Sequence, residues 1–215
     1  MTGSSAFCTH IIDTSRKNSI IIYSIQLAGE IMKVITGKYR GRMLYTLEGR
    51  DVIRPTAQKT KEGLFSAIQF KVQGAKVLDL FAGSGQLGIE ALSRDAKSAV
   101  FVDNNRYSIR VIQKNLSLVG AEADARVVLD DCTRFVHRTK EKYDIIFLDP
   151  PYRLELCKEL ISDLGDITED GGIVLCETEE YEEMPDSAGS LTLRRQYKYG
   201  RTYVWLYDKA GEEDL

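Results

Sequence analysis

The sequence predicts an α/β protein built on a doubly wound, mostly parallel sheet of seven strands, with a small hairpin and helix in front of it. Three observations predict this. From Lys76 onward, short runs rich in Val, Ile, Leu and Phe alternate with segments of helical period, the pattern of buried parallel strands and their crossovers. A glycine loop, 78-LDLFAGSGQLGIEAL-92, joins the first run to the first helical segment. Near the end, Leu191–Tyr197 and Thr202–Tyr207 flank Tyr199-Gly200-Arg201 with no helix between them, so the sheet closes with an antiparallel strand.

Taken in order, residues 1–31 have no clear period and are expected to be an extension outside the folded domain, or an over-long start. The apolar run Ile20–Ile25 is far too short to cross a bilayer, and Asp13 before it argues against a secretory signal. From Met32 to Leu47 two short strands are expected around the basic turn Gly37-Lys38-Tyr39-Arg40-Gly41-Arg42. After Arg54-Pro55-Thr56 a helix carries Lys59, Lys61, Leu64, Phe65 and Ile68, with Thr56 as its cap. Residues 32–75 therefore form a basic unit, 76–208 the main domain and 209–215 a tail. Within the main domain the expected strands are Lys76–Leu80, Ala99–Asp103, Ala125–Leu129, Asp144–Leu148 and Ile173–Glu177. The helices are Gln86–Arg94, Arg106–Val119, Thr133–Thr139 and Leu154–Leu164. Glu177–Glu183 reads as a solvated acidic loop.

Composition narrows the function. A chain of 215 residues with 43% hydrophobic content buries one good core. The net charge is only −3, but residues 33–76 carry net +7 and residues 77–215 net −10. A basic arm on an acidic globule points to phosphate as a partner. Cys8, Cys132, Cys157 and Cys176 are far apart, and the histidines are His10 and His137. That spacing offers neither a zinc site nor a disulfide framework, and reduced thiols in the cytoplasm are expected.

Gly83, Gly85 and Gly88 satisfy G-x-G-x-x-G, and Asp103 falls 20 residues after Gly83 at a strand end, where it could accept both hydroxyls of a ribose. Taken alone this is also a dinucleotide fingerprint. Asp79 separates the two readings, because an acid facing the loop repels a pyrophosphate and holds a cation. S-adenosylmethionine carries both an ammonium and a sulfonium. Asp131, in 130-DDC-132, is placed either to accept an adenine amino group or to cap the following helix. Finally, 145-IIFLDPPYR-153 ends a strand abruptly at two prolines, which cannot continue a ladder. The Asp149 carboxylate and Pro150 carbonyl there could accept the two protons of a nucleobase amine and aim its lone pair at a methyl group. Pro151 stiffens the tip, and Tyr152 offers a stacking face worth about 1–3 kcal/mol per base.

The segments 33-KVITGKYRGRML-44, 54-RPTAQKTKEGLF-65, 78-LDLFAGSGQLGIEALSR-94, 115-NL-116, 147-FLDPPY-152 and 198-KYGRTYVWLY-207 together resemble the RsmD family. These are class I methyltransferases that modify guanine N2 in 16S ribosomal RNA. The resemblance covers Met32 to Asp208 and implies S-adenosylmethionine as cofactor. It makes Asp149, Pro150, Pro151 and Tyr152 the catalytic tip, and Asp79, Phe81, Gly83 and Gly85 the methionine side of the pocket. Asp103 falls to the ribose and Asp131 to the adenine, Asn104, Cys132 and Thr56 join them in binding the cofactor, and Arg54 lies on the RNA and cofactor side of the cleft. Lys38, Arg40 and Arg42 become the RNA-binding loop, on the cofactor side. The implied partner is ribosomal RNA in an assembling small subunit, met by a monomer with no membrane association. Gly63 departs from the family pattern, which has a better helix former there.

Two rivals remain at this level. DNA adenine-N6 methylation uses the same tip but calls for a separate recognition domain. An NAD-dependent oxidoreductase explains the glycines and Asp103 but leaves the double proline without a role. A cytosine-C5 enzyme is disfavoured because no cysteine follows a proline at a strand end, and Cys132 reads as packing.

Overall fold

The computed structural model describes residues 31–47, 55–150, 154–178 and 183–211. In chain order the elements are β1 (Ile31–Lys33), β2 (Met43–Tyr45), α1 (Pro55–Ala67), α2 (Gln69–Val72), β3 (Lys76–Leu80), α3 (Gln86–Ser93), β4 (Ser98–Asp103), α4 (Arg106–Val119), β5 (Ala125–Leu129), α5 (Cys132–Arg138), β6 (Tyr143–Leu148), α6 (Leu154–Leu164), β7 (Thr168–Thr178), β8 (Ser187–Ala188), β9 (Leu191–Tyr199) and β10 (Thr202–Lys209). The main sheet runs β5-β4-β3-β6-β7-β10-β9-β8, with β3 to β7 parallel and β8 to β10 antiparallel. Among the described residues it has eight strands rather than seven, because the two-residue β8 adds an edge too short to show as an alternating run.

The central parallel strands β3, β4, β6 and β7 are mostly apolar in their paired middles because both faces of the sheet are covered there. Val77, Phe101, Ile145, Phe147 and Val204 point to the face packed by α1 to α4, whereas Leu78, Leu80, Ile146, Val174 and Trp205 point to the face packed by α5 and α6. β7 begins five residues before the expected Ile173. The register explains why: Tyr143 pairs with Thr168 but Ile145 with Ile173, so Glu169–Gly172 bulge opposite Asp144, and Gly171 takes φ +72°. Gly171 and Gly172 thus belong to a bulge inside the strand rather than to a segment before it.

The basic unit is bolted to α3. The Glu90 carboxylate is fully buried; it accepts the Ile35 N–H at 2.8 Å and the Thr36 N–H at 3.0 Å, and lies 3.6 Å from Lys61 Nζ and 3.0 Å from Arg94 Nε. Below it, the Lys38 N–H donates to the Ser93 carbonyl at 2.7 Å. Gly37 has φ +85°, and a Cβ there would stand 1.7 Å from that carbonyl, so only glycine lets the turn close on the helix end. The Gly37–Arg42 turn is thereby fixed at the carboxyl end of α3, and Lys38 reaches Asp124 just ahead of β5 at 3.8 Å. This corrects one expectation. The turn lies at the amino ends of the strands, opposite the glycine loop, because the helix that follows β3 runs back down the sheet. The other end of the hairpin and the first turn of α1 face the strand tips instead.

α1 starts at Pro55, whose fixed φ suits the first helical position, so Thr56 lies inside the first turn rather than at the cap. Gly63 also has a reason. A Cβ there would stand 2.3 Å from Cε1 of Tyr199, so the ring of that tyrosine rests directly on the helix backbone.

Candidate active site

Four strand ends are level. Leu80 pairs with both Val102 and Leu148, and Asp103 with Leu129, which puts the segments after β3, β4, β5 and β6 along one edge of the sheet. Proline 150 and the two acids 103 and 149 thus meet above the glycine loop. The loop itself is bent by three residues of positive φ, Phe81 at 59°, Gly83 at 55° and Gly85 at 78°. A Cβ on Gly83 would touch nothing nearer than Leu47 at 3.7 Å, so that glycine leaves open space for a ligand to approach the backbone.

Acids occupy the donors of this loop. Asp79 is 2% exposed, and its Oδ2 accepts the Gly88 N–H at 2.9 Å. Asp103 accepts the Gly83 N–H at 3.0 Å with Oδ2 and the Asn105 N–H at 2.8 Å with Oδ1. Burial pushes the Asp79 carboxyl well above its ordinary value of 3.8; the Gly88 N–H pulls it down, and the Asp149 and Asp103 charges push it up. Three carboxylates therefore converge on one place. A nucleotide pyrophosphate would meet repulsion here, and the amide it would want at the start of α3 is already taken by Asp79. A ligand with positive charges, a ribose and a base fits the same place, because each carboxylate oxygen retains acceptor capacity.

Cys132 lies beneath the loop rather than in it. The Phe81 N–H donates to its Sγ at 3.3 Å, which helps hold the left-handed bend, and burial pushes the thiol up to about 12. It is no thiolate nucleophile near neutral pH. Asp131 is exposed at the tip of β5 and caps α5 by accepting the Arg134 N–H at 3.0 Å. Its neighbour Asp130 is buried and clamped by Arg134 and by Arg138 at 2.6 Å; the Arg134 hydrogen bond leads in holding that carboxyl below its usual range. Asn104 is exposed beside Asp103, Asp149 is half-buried and Pro150 is buried. Arg54, Pro151 and Tyr152 lie outside the described residues, as does most of the acidic 177–183 loop. Lys38, Arg40 and Arg42 are exposed at the far end of the sheet.

Glu90 was not singled out by sequence, and Asn115 only as part of 115-NL-116, with no role given to it. Asn115 is fully buried, accepts the Tyr45 N–H at 2.8 Å and donates to the carbonyls of Tyr45 at 2.8 Å and Ser84 at 2.9 Å. It ties β2 to the glycine loop. Glu90 had a signal, a charge within the otherwise apolar 87-LGIEAL-92, and Asn115 had one in the amide inside an amphipathic helix.

A parallel sheet in this order, with an acid-capped glycine loop on its central strand and further acids at the next strand tips, defines a class I methyltransferase. Residues 32–208 match the family described as Conserved hypothetical protein 95. The chain is 37% identical over 185 residues to the putative rRNA methyltransferase YlbH of Bacillus subtilis, covering 84% of this chain and all of that one. It is 34% identical over 191 residues to ribosomal RNA small subunit methyltransferase D of Escherichia coli K12, covering 87% and 95%. A solved structure, the putative methyltransferase yhhF from Escherichia coli, superimposes with a TM-score of 0.76 at 32% identity, over 85% of this chain and all of that chain. The chain belongs to this family, the RsmD methyltransferases.

Proposed function

We propose that this protein methylates the exocyclic N2 amine of a guanine in small-subunit (16S) ribosomal RNA, using S-adenosylmethionine, and that its working substrate is an assembling subunit. The observation that carries the cofactor reading is the acid capping of α3. Asp79 and Asp103 consume the loop amides that a dinucleotide would need and leave a negative pocket suited to a cationic methyl donor.

In this reading Asp79, Phe81, Gly83 and Gly85 shape the methionine side, Asp103 and Asn104 hold the ribose, and Asp131 meets the adenine. Cys132 supports the loop from below, while Arg54 and Thr56 close the site from the N-terminal unit. When bound, the cofactor supplies an electrophilic methyl group on a good leaving group, so no strong base is required. Asp149 and the Pro150 carbonyl accept hydrogen bonds from the two N–H groups of the target amine and turn its lone pair out of conjugation with the ring, and the methylated, cationic amine then loses one proton to solvent. Tyr152 stacks on the extruded base, and Pro151 keeps the tip from yielding. Lys38, Arg40 and Arg42 take RNA phosphates at the amino ends of the strands, away from the reacting nucleotide.

The test is methyl transfer from labelled S-adenosylmethionine to small-subunit particles and to their naked RNA, followed by nucleoside digestion and mass spectrometry. A single N2-methylguanosine is expected. Methyl on adenine N6, or on no RNA base, overturns the reading. Calorimetry with S-adenosylhomocysteine and NAD tests the cofactor separately, and binding of NAD alone would restore the oxidoreductase.

A further inference from the structure

Residues 77–215 are acidic overall, yet the 17 residues from Leu191 to Tyr207 contain Arg194, Arg195, Lys198 and Arg201 and no acid. Arg194 turns back to Asp208 at 3.2 Å. The other three are exposed around the β9–β10 turn. Tyrosines alternate with them. The Arg195 guanidinium lies 5.4 Å from the centre of the Tyr197 ring and Lys198 Nζ lies 5.1 Å from that of Tyr203, while Tyr197 and Tyr199 stack with centroids 6.3 Å apart.

Register fixes the height of this turn. Leu148 of β6 pairs with Cys176 of β7, and Thr178, two residues on, pairs with Tyr203 of β10. Pro150 also lies two residues beyond Leu148. The turn therefore stands level with the Asp149–Pro150 tip, two to three strands away, which is about 10–15 Å at the usual strand spacing. That is the reach of two or three nucleotides from a base held at the tip. Its position is also fixed, because Tyr199 lies against bare α1 backbone at Gly63 and is locked between that helix and Tyr197. The basic Gly37–Arg42 turn, by contrast, is at the opposite ends of the strands.

We infer that the β9–β10 turn is an RNA-binding surface, in which Arg195, Lys198 and Arg201 engage phosphates flanking the target nucleotide and Tyr197 and Tyr203, with Tyr199 as the fixed support behind them, offer ring surface to unpaired bases. Cations interleaved with aromatic rings are what single-stranded RNA recognises, and this acid-free stretch carries both at the reacting edge. The inference rests on the RNA reading above and assigns the part of the protein that holds the substrate near the chemistry.

The test is filter binding of small-subunit RNA and particles to the full chain and to the Arg195→Ala/Lys198→Ala/Arg201→Ala variant at several salt concentrations. The log–log salt slope should become shallower by about 0.7–0.9 for each phosphate the variant no longer neutralises, and KM for RNA should rise at least tenfold while S-adenosylhomocysteine affinity is unchanged. Protection of Lys198 of the unmodified protein from acetylation by bound RNA is a second readout that does not depend on the variant's folding. Wild-type slope and KM in a folded variant, or an unprotected Lys198, overturn the surface even if the protein methylates guanine. Shallower binding with no methyl transfer by the wild type leaves the surface standing and removes the proposed reaction instead.

Discussion

The Asp79 carboxylate accepts the backbone N–H of Gly88 from a position almost closed to solvent, so the helix that follows the glycine loop is capped from inside the sheet by a group that resists ionising. Its raised pKa means that the folded protein keeps a proton the unfolded chain has lost. Stability from this group is accordingly full below about 3.8 and falls as pH rises from there through the raised value. Asp79→Asn, which keeps an acceptor for Gly88, should flatten that fall in a melting-temperature series against pH. A bound cation favours the carboxylate, so cofactor affinity should rise with pH through the same window, with proton release visible by calorimetry in buffers of different ionisation enthalpy. Binding without proton release would place the cation elsewhere.

Asp103→Ala should weaken S-adenosylhomocysteine binding by about 1–3 kcal/mol, from the missing charge-assisted bonds to the ribose and from release of Gly83. Titration of the folded variant measures it. An unchanged dissociation constant would detach Asp103 from the cofactor.

Asp149→Ala should abolish methyl transfer through kcat and leave cofactor affinity nearly intact, because its proposed work is done on the amine as the bond forms. An equal loss of cofactor binding would move Asp149 from the reaction to the pocket.

Glu90→Ala should be the most destabilising of these changes. It takes the counter-charge from Lys61, which is 3% exposed, whose pKa burial already lowers and which keeps its bond to the Lys33 carbonyl, and it frees the Ile35 and Thr36 amides. A broken buried pair costs about 3–5 kcal/mol, so the melting temperature should drop on the order of 10 °C. If it does not, the basic unit is held by its apolar packing alone.

Most of the architecture could be read from the sequence because parallel strands buried on both faces, such as Ala99–Val102 and Ile145–Leu148, have no other way to be so apolar. The strand tips followed, since Asp103, Asp131 and Asp149 each end such a run. What could not be read was long-range or concealed. The bulge at Glu169–Gly172 needs a partner strand to define it, and the two-residue β8 leaves no periodic trace. The position of the Gly37–Arg42 turn depends on which end of α3 receives it, a choice made by Ser93 and Glu90 some 55 residues away. Gly63 looked like a flaw in a helix and is a seat for Tyr199, which no local pattern announces.

The place of β10 between β7 and β9 sets an order of events during synthesis. A ribosome delivers β7 long before β10, and until the later strand arrives the apolar edge of β7 has no partner on that side. The nascent chain therefore carries an open sheet edge, with Trp205 and Tyr207 still missing from the core, through the making of some thirty residues. Any stop codon or cleavage ahead of Thr202 would leave that edge permanently unpaired, and the product would be prone to self-association rather than merely inactive.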